Sequence, residues 1–217
     1  MHSKNEKFIP ALGVDWATRF YDPLVRLTTR EFKFKRALIS QANLSNSQTI
    51  LDLACGTGTL SIGIQRRFPN IKIYGVDADK KVLKIAKLKA DSRRAQISFQ
   101  QGFSDKLLFE ENKFDRVFST LSFHHLTREN KIKTLNEISR VLKPSGEFHI
   151  ADYGEASNFS QKVFSNIIKL IDGTETTTDN FAGRLKTIIE ENGFSYVEKT
   201  AVFNTVLGTI RLFKVTQ

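Results

Sequence analysis

The sequence predicts an α/β fold, with one sheet covered by helices on both faces. Short apolar runs typical of buried strands alternate with amphipathic segments of helical periodicity, which is the pattern of a mostly parallel sheet. A glycine-rich turn follows the first run directly, at 56-GTG-58. The C-terminal segment 194–217 has the pattern of two strands joined near Asn204, which predicts an antiparallel closing strand. The expected architecture is a Rossmann-like sheet of seven strands.

The predicted elements follow one another without a gap that would suggest a linker. Strands are expected at 49–54, 71–76, 96–101, 114–119 and 146–152, followed by the closing hairpin. Helices are expected at 59–68, 79–92, 128–142, 157–171 and 179–192. Thr127 is a suitable N-cap for the third of these helices. Residues 15–42 are predicted to be helical with a break at Pro23. With no internal repeat, the chain is expected to form one domain.

Composition limits the classes of protein that the chain can belong to. Lys and Arg outnumber Asp and Glu by 33 to 23, and segment 60–94 alone holds ten basic residues against three acidic ones. This basic segment could bind RNA, anionic lipid or an acidic substrate, or it could simply form a solvated surface. A single cysteine, Cys55, excludes an intrachain disulfide. The polar start MHSKNEK and the lack of an apolar run of about twenty residues favour a cytoplasmic protein without a transmembrane segment.

The segment 50-ILDLACGTGTLSIG-63 carries the first candidate site. Gly56 and Gly58 allow a tight turn whose backbone N–H groups face a closely approaching ligand. Asp52, at the end of the preceding strand, would repel a pyrophosphate and attract an ammonium group. Asp77 ends the second strand, where a carboxylate can accept hydrogen bonds from both hydroxyls of a ribose. Because Ser61 stands where a dinucleotide fingerprint has its third glycine, the spacing alone leaves open a dinucleotide, a nucleoside without phosphate, or no ligand.

Four motifs in order resemble the class I S-adenosylmethionine (SAM)-dependent methyltransferases, in particular the subgroup of quinone-biosynthesis C-methyltransferases and their small-molecule relatives. They are 51-LDLACGTG-58, 75-GVDAD-79, 102-GFSDKLLFEENKFDRVFSTLSFHHL-126 and 137-EISRVLKPSGEFHIAD-152. The resemblance covers about residues 48–153. It implies one methyltransferase domain over 1–217, with a helical lid at 1–45, a SAM-binding core at 46–153, a helical acceptor-site region at 154–193 and a closing β-hairpin at 194–217.

The resemblance also implies which residues bind SAM. The methionine end would be held by Asp52, Ala54, Gly56, Thr57 and Gly58, while Cys55 in the same loop is expected to be a packing residue rather than a nucleophile. The nucleoside and the neighbouring part of the cofactor would contact Asp77, Ala78, Phe103, Ser104, Ser119 and Thr120.

Phe103 departs from the family pattern, because many members carry an acidic residue at this position that contacts the adenine amino group. Either the ring packs on adenine and the polar contact passes to Ser104, Asp105 or a backbone carbonyl, or Phe103 turns into the core.

Candidate catalytic residues lie near the ends of strands four and five. His124, His125 and Asp152 could remove a proton from an acceptor that must lose one. Alternatively, the histidine pair structures the loop after strand four, and Asp152 caps the next helix. No metal is expected, since Ser119-Thr120 and Asp152-Tyr153 together offer one carboxylate.

The acceptor pocket is expected between the N-terminal helices and the insertion after strand five. Trp16, Phe20, Tyr21 and Tyr153 are its predicted lining, with Phe159, Phe164 and Phe181 as further candidates for an apolar lid. An ordinary aromatic core is the alternative, because the chain has 18 phenylalanines. If the lid exists, the acceptor is an aromatic or lipid-like small molecule, and the basic N-terminal helix could touch a membrane surface.

The expected function is therefore methyl transfer from SAM to a small-molecule acceptor. A methyltransferase acting on RNA or protein is the alternative suggested by the net charge of +10, although no RNA-binding motif is present. An NAD(P)-dependent oxidoreductase would use the same loop and Asp77, but the chain has no Tyr-x-x-x-Lys pair. A non-catalytic nucleoside-binding protein is also compatible with the sequence. The oligomeric state is not predicted.

Overall fold

The structure is a computed structural model that describes residues 30–157, 161, 174–206 and 208–217. Its strands are β1 (Thr49–Leu53), β2 (Lys72–Asp77), β3 (Ile97–Gln101), β4 (Phe114–Thr120), β5 (Leu142–Gly154), β6 (Tyr196–Thr205) and β7 (Gly208–Thr216). They form a seven-stranded sheet in the order β3-β2-β1-β4-β5-β7-β6. Strands β1 to β5 pair in parallel, and β7 is antiparallel to both of its neighbours. The predicted fold class is confirmed.

The described helices are α1 (Glu31–Gln41), α2 (Thr59–Arg67), α3 (Lys80–Ser92), α4 (Arg128–Val141), α5 (Thr174–Phe181) and α6 (Leu185–Glu190), with a 3-10 turn at Phe123–His125. The predicted N-cap of α4 is confirmed, because Thr127 accepts a hydrogen bond from the Asn130 amide. The prediction of one helix over 179–192 is wrong. Gly183 adopts a φ of +75°, a left-handed conformation that cannot continue a right-handed helix, and the chain therefore forms two short helices. The helix expected at 157–171 lies almost entirely outside the described residues.

Two hydrophobic clusters lie on opposite faces of the sheet and follow the two-residue alternation of its strands. In β1, Ile50 belongs to the cluster that contains apolar side chains of α1 and α2. Leu51 and Leu53 belong to the cluster that contains apolar side chains of α4 and α6. Helices therefore cover both faces, and Asp52, which shares the face of Ile50, points toward α2.

The strand order places the candidate site at the centre of one sheet edge. The chain proceeds outward from β1 to β3, then crosses to β4 on the other side of β1. Such a reversal leaves a crevice at the carboxyl ends of the two central strands, where α/β proteins bind ligands. The loop after β1 and the residues that end β4 meet at this crevice.

A partly buried polar network joins the end of α1 to β5 and β7 of the sheet. The Gln41 side-chain amide donates to His149 Nδ1 at 3.0 Å and to the Phe213 carbonyl at 3.1 Å. His149, fully buried, contacts a Glu147 carboxylate oxygen through Nε2 at 3.1 Å. Burial lowers the pKa of His149, which favours the neutral ring that this arrangement requires.

Within the described residues, no helix is both long and apolar enough to cross a lipid bilayer.

Candidate active site

The glycine loop is a tight turn built from left-handed residues. Ala54, Gly56 and Gly58 have φ values of +54°, +53° and +73°. The Cys55 amide donates to the Val76 carbonyl at 3.0 Å, which holds the loop against the end of β2. Gly58 is the N-cap of α2 and has no side chain to satisfy the helix N–H groups. The first amides of α2 therefore need acceptors outside the helix, and one of them, the Ser61 amide, donates to Asp52.

The two glycines meet different surroundings. A Cβ atom on Gly58 would lie 2.9 Å from Phe99 Cζ and 3.2 Å from Ala86 Cβ, so Gly58 allows the loop to pack against β3 and α3. A Cβ atom on Gly56 would meet no atom within 4 Å among the described residues. The space beside Gly56 is open, which fits a ligand that lies against the backbone of the loop.

Replacing the two glycines by alanine should therefore produce different defects. We expect Gly58→Ala to lower the free energy of unfolding by about 2 to 4 kcal/mol, because left-handed strain adds to a steric overlap with Phe99. Gly56→Ala should lower it by only about 1 to 2 kcal/mol but should weaken cofactor binding. Urea unfolding and calorimetric titration of both variants would check this. Equal losses of stability would contradict the distinction between a packing glycine and a ligand-facing glycine.

Asp52 is a buried carboxylate with one free oxygen. Its side chain is buried at 1% exposure, and its Oδ2 accepts hydrogen bonds from both the amide and the hydroxyl of Ser61. Its Oδ1 has no hydrogen-bond partner in the described part of the chain. Burial raises the pKa of Asp52 to about 6. A buried carboxylate oxygen that lacks a hydrogen-bond partner is complementary to a cationic donor such as an ammonium group. Ser61, which the sequence showed only as a missing glycine, fixes the orientation of this carboxylate.

Asp77 lies at the end of β2, and its carboxylate holds the glycine loop by accepting a hydrogen bond from its backbone. Its Oδ2 accepts from the Gly56 amide at 2.8 Å, and its Oδ1 accepts from the Asp79 amide at 3.0 Å. Burial raises the pKa of the Asp77 carboxyl group above its usual value. Each carboxylate oxygen retains a lone pair after these bonds, so the group can still accept from two ribose hydroxyls.

The segment after β3 adjoins Asp77. The Gly102 amide donates to the Asp77 carbonyl at 3.0 Å, and Phe103 follows with 53% of its surface exposed. The alternative that Phe103 turns into the core is therefore wrong, because neighbouring Ser104 turns inward instead. The Ser104 hydroxyl forms a hydrogen bond with that of Thr134 in α4 at 2.8 Å. Ala78 is half-buried, and its carbonyl accepts from the Gln101 side chain at 2.9 Å.

The residues that end β4 lie on the other side of the crevice. Ser119 is fully buried, and its hydroxyl is 2.5 Å from that of Ser122. Thr120 is half-buried and pairs with Ala151 of β5. Ser122 opens the 3-10 turn that carries the histidine pair. The contact between the Ser119 and Ser122 hydroxyls thus links β4, the central strand, to that turn.

Asp152 organises the turn that follows β4. Its Oδ2 accepts from the amides of Ser122 at 3.0 Å and Phe123 at 2.7 Å. Its Oδ1 lies 2.7 Å from Nδ1 of His124 and also accepts from the Tyr153 amide. Burial alone would raise the pKa of Asp152, but the His124 ring and the amide donors outweigh it and hold this pKa below the usual value. The helix that Asp152 could alternatively cap lies almost entirely outside the described residues, and the donors found within the described part of the chain belong to residues 122–124 and to Tyr153.

The two histidines differ in their surroundings. His124 is 3% exposed, and the Asp152 contact directs its Nδ1–H toward the carboxylate, which leaves Nε2 as the ring nitrogen able to accept a proton. No hydrogen bond to that Nε2 occurs within the described residues. The His125 ring centre lies 3.9 Å from that of His124. Burial and the His124 charge lower the pKa of His125 to about 3, so His125 is neutral near pH 7.

Aromatic side chains lie beside this pair. The edge of the Tyr153 ring meets the His124 ring at 4.9 Å between centres, and Tyr153 stacks on Phe181 of α5 at 5.7 Å. Both aromatic residues are buried. The other predicted pocket or lid residues, Trp16, Phe20, Tyr21, Phe159 and Phe164, lie outside the described residues.

Lys131 was missed by the sequence reasoning. It is fully buried in α4, and its ammonium donates to the carbonyls of Leu126 and Thr176, each at 2.8 Å. Burial lowers the pKa of Lys131. It thereby ties the turn that carries the histidine pair to α5. A signal was present, because Lys131 stands four and seven residues before Leu135 and Ile138 on the inward stripe of the helix.

The basic segment noted in the sequence forms an exposed surface on α2, α3 and the residues after them. Lys89 is the exception, because it turns inward and donates to the hydroxyls of Thr57 and Thr59 at 2.9 and 3.0 Å. That contact holds the glycine loop from the side of α3. The exposed basic residues are Arg66, Arg67, Lys72, Lys80, Lys81, Lys84, Lys87, Arg93 and Arg94.

Comparisons with known proteins agree with this geometry. Residues 50–146 match a family model described as a methyltransferase domain. A demethylmenaquinone methyltransferase from Lactobacillus johnsonii is 31% identical over 182 residues, which cover 75% of this chain and 73% of the relative. An uncharacterized methyltransferase from Synechocystis is 28% identical, over 78% of this chain and 77% of the relative.

Solved structures show the same fold. A phosphoethanolamine N-methyltransferase from Haemonchus contortus, solved with phosphomonomethylethanolamine and S-adenosylhomocysteine, superposes with a TM-score of 0.76 at 16% identity. The superposition covers 94% of this chain and 58% of that one.

Proposed function

The chain belongs to the class I SAM-dependent methyltransferases, and we propose that it methylates a small aromatic or lipid-like acceptor, with Asp52 and Asp77 binding the cofactor and His124 serving as general base. Family membership removes the oxidoreductase alternative. The observation that carries the proposed site is the buried Oδ1 of Asp52, which has no hydrogen-bond partner among the described residues, and the loop that follows it has open space at Gly56. A cationic amino group at that position would satisfy the orphaned oxygen.

The crevice offers a suitable residue for each part of the SAM molecule. Asp52 and the loop Ala54, Gly56, Thr57 and Gly58 would hold the methionine part, and Asp77 would accept from the ribose hydroxyls. Ala78 and Phe103 would flank the adenine. Of the other predicted binding residues, Ser104 and Ser119 have hydroxyls engaged with Thr134 and Ser122, so we propose that they shape the crevice rather than bind directly. Thr120 would line the wall of the crevice near the reacting centre.

When bound, the cofactor would supply an activated methyl group for transfer to the acceptor atom, and the electron pair of its carbon–sulfur bond would remain on sulfur. The chain must align the acceptor, exclude water and take up a proton where the acceptor loses one. His124 Nε2 is the proposed proton acceptor. Asp152 is a positioning residue, because its carboxylate fixes the ring tautomer and stabilises the imidazolium that forms.

The acceptor side of the site supports a small molecule with both an apolar body and a polar group. Tyr153 and Phe181 provide stacked aromatic surface next to His124. Asn180, fully buried on α5, donates to the Tyr153 carbonyl at 3.3 Å, while its Oδ1 has no partner in the described part of the chain. An acceptor hydroxyl could satisfy that oxygen. The Lactobacillus johnsonii relative is named for an aromatic quinone acceptor, which supports the same class here.

Transfer of a labelled methyl group would test this function. The purified protein, incubated with methyl-labelled SAM and a panel of hydroquinones, phenols and short lipid-linked quinols, should label at least one of them. Total RNA and a protein lysate serve as competing substrates in parallel reactions. Exclusive labelling of RNA or protein would overturn the small-molecule acceptor, and it would assign the exposed basic surface to the binding of that substrate.

The pH dependence of cofactor binding should report on Asp52. Only the ionised carboxylate attracts an ammonium group, so binding lowers the pKa of Asp52 from its raised value of about 6 and releases a proton. We therefore expect affinity for S-adenosylhomocysteine to rise with pH and to be about tenfold lower at pH 5 than at pH 7.5. Calorimetric titrations over this range would measure the change. The Asp52→Asn variant should bind more weakly and lose most of this pH dependence; an unchanged pH profile would assign it to another group.

A further inference from the structure

An exposed aromatic residue, Phe103, follows the strand that pairs with the end of β2, where the proposed ribose-binding carboxylate lies. Phe103 lies directly beyond β3, and the backbone of the preceding Gly102 is bonded to Asp77. The chain forms a turn here, in which the Lys106 amide donates a hydrogen bond to the Phe103 carbonyl at 3.3 Å. The turn thus fixes where the side chain of Phe103 begins. Its 53% exposure leaves a large part of an apolar ring uncovered by the described residues at the rim of the crevice.

Two polar groups close to Phe103 and Asp77 in the chain are engaged elsewhere. The Ser104 hydroxyl is bonded to that of Thr134, and the Ala78 carbonyl already accepts from Gln101. Ala78 and Phe103 themselves offer only apolar side chains. Asp105 is half-buried in the same turn and is the nearest acidic residue in the sequence. A purine placed beside Asp77 would therefore meet apolar surface on its faces and few free side-chain partners at its edge.

We infer that the purine of the nucleoside is held by its faces, chiefly by stacking on Phe103, and that the group at its 6-position is not read by an acidic side chain. The inference rests on the proposed function, which places the ribose at Asp77. Stacking on an aromatic ring contributes about 1 to 3 kcal/mol per base and is tolerant of base identity. A carboxylate reading an amino group would instead reject a keto group strongly, because two acceptors would face each other. The site should thus accept hypoxanthine in place of adenine.

The test compares two ligands by calorimetric titration: S-adenosylhomocysteine and S-inosylhomocysteine, which differ in the amino or keto group at position 6 and in the proton that the keto form carries on N1. We expect the wild-type dissociation constants to agree within about threefold. A preference for the adenine ligand of about thirtyfold or more would overturn the inference while leaving the proposed cofactor site intact. Binding of neither ligand would overturn both.

Three variants sharpen the result. Phe103→Ala should weaken both ligands equally, by about tenfold to a hundredfold, as expected for the loss of a stacking partner. Phe103→Asp should create a preference for the adenine ligand that the wild type lacks. Asp105→Asn is the matched control and should change neither affinity. A selective loss of adenine affinity in Asp105→Asn would assign edge recognition to Asp105 and overturn the inference.

Discussion

Substitution of Asp77 by asparagine is expected to weaken the binding of S-adenosylhomocysteine by about 10- to 100-fold, because hydrogen bonds to a charged group contribute about 1.5 to 3 kcal/mol each. The Asp77 carboxylate already accepts from the Gly56 and Asp79 amides. An asparagine side chain has one acceptor oxygen, so it cannot satisfy both amides and the ribose hydroxyls together. Calorimetric titration of the purified variant measures the effect, with thermal unfolding as a check on its fold.

Asp79→Asn is the matched control for this prediction. Asp79 lies two residues further on and caps α3 by accepting a hydrogen bond from the Lys81 amide. Asparagine is an equally good N-cap, so the variant removes a negative charge close to Asp77 without removing the cap. Cofactor affinity should change by less than about threefold. If both variants lose affinity equally, the effect is one of general charge, and Asp77 does not make the proposed ribose contact.

Substitution of His124 by glutamine is expected to lower kcat by about 100- to 10,000-fold for an acceptor that loses a proton, which is the usual contribution of a general base. Cofactor affinity should stay within about threefold of the wild type, because His124 contacts Asp152 and Tyr153 rather than the glycine loop. The glutamine amide can still donate to Asp152, so the buried carboxylate keeps a partner. Single-turnover rates with labelled SAM and the best acceptor from the panel provide the measurement.

His125→Gln separates the roles of the two histidines. His125 is adjacent in sequence and space, but burial lowers its pKa to about 3, which makes it a poor proton acceptor. A rate within about tenfold of the wild type is expected for this variant. A larger loss in His125→Gln than in His124→Gln would reverse the assignment. Similar, small losses in both would mean that the acceptor is methylated without a protein base and that the pair only structures the turn.

The fold could be predicted because its determinants are local. The alternation of apolar runs and amphipathic segments, together with Gly56, Gly58 and the C-terminal strand pair, specifies the sheet and its helices. The exception was residues 179–192, where Gly183 interrupts an apolar periodicity that continues on both sides of it. A glycine inside such a pattern is compatible with both one helix and two, because glycine can adopt either a right-handed or a left-handed conformation. Whether this segment forms one helix or two depends on the contacts that α5 and α6 make in the folded protein. One of these contacts is the hydrogen bond from Lys131 to the Thr176 carbonyl of α5.

The chemistry-bearing residue types and their order along the chain were determined by the sequence alone: a carboxylate at the end of β1, a glycine turn, a carboxylate at the end of β2, and a histidine pair after β4. Only the tertiary structure decided which partners these groups meet. Ser61 of α2 orients Asp52, Asp152 accepts hydrogen bonds from the turn that precedes it in the chain, and Ser104 bonds α4 while the neighbouring Phe103 is exposed. These contacts join residues 9 to 30 positions apart. Hydrogen bonds over such separations depend on how strands and helices are arranged in space, which no local pattern of residues records.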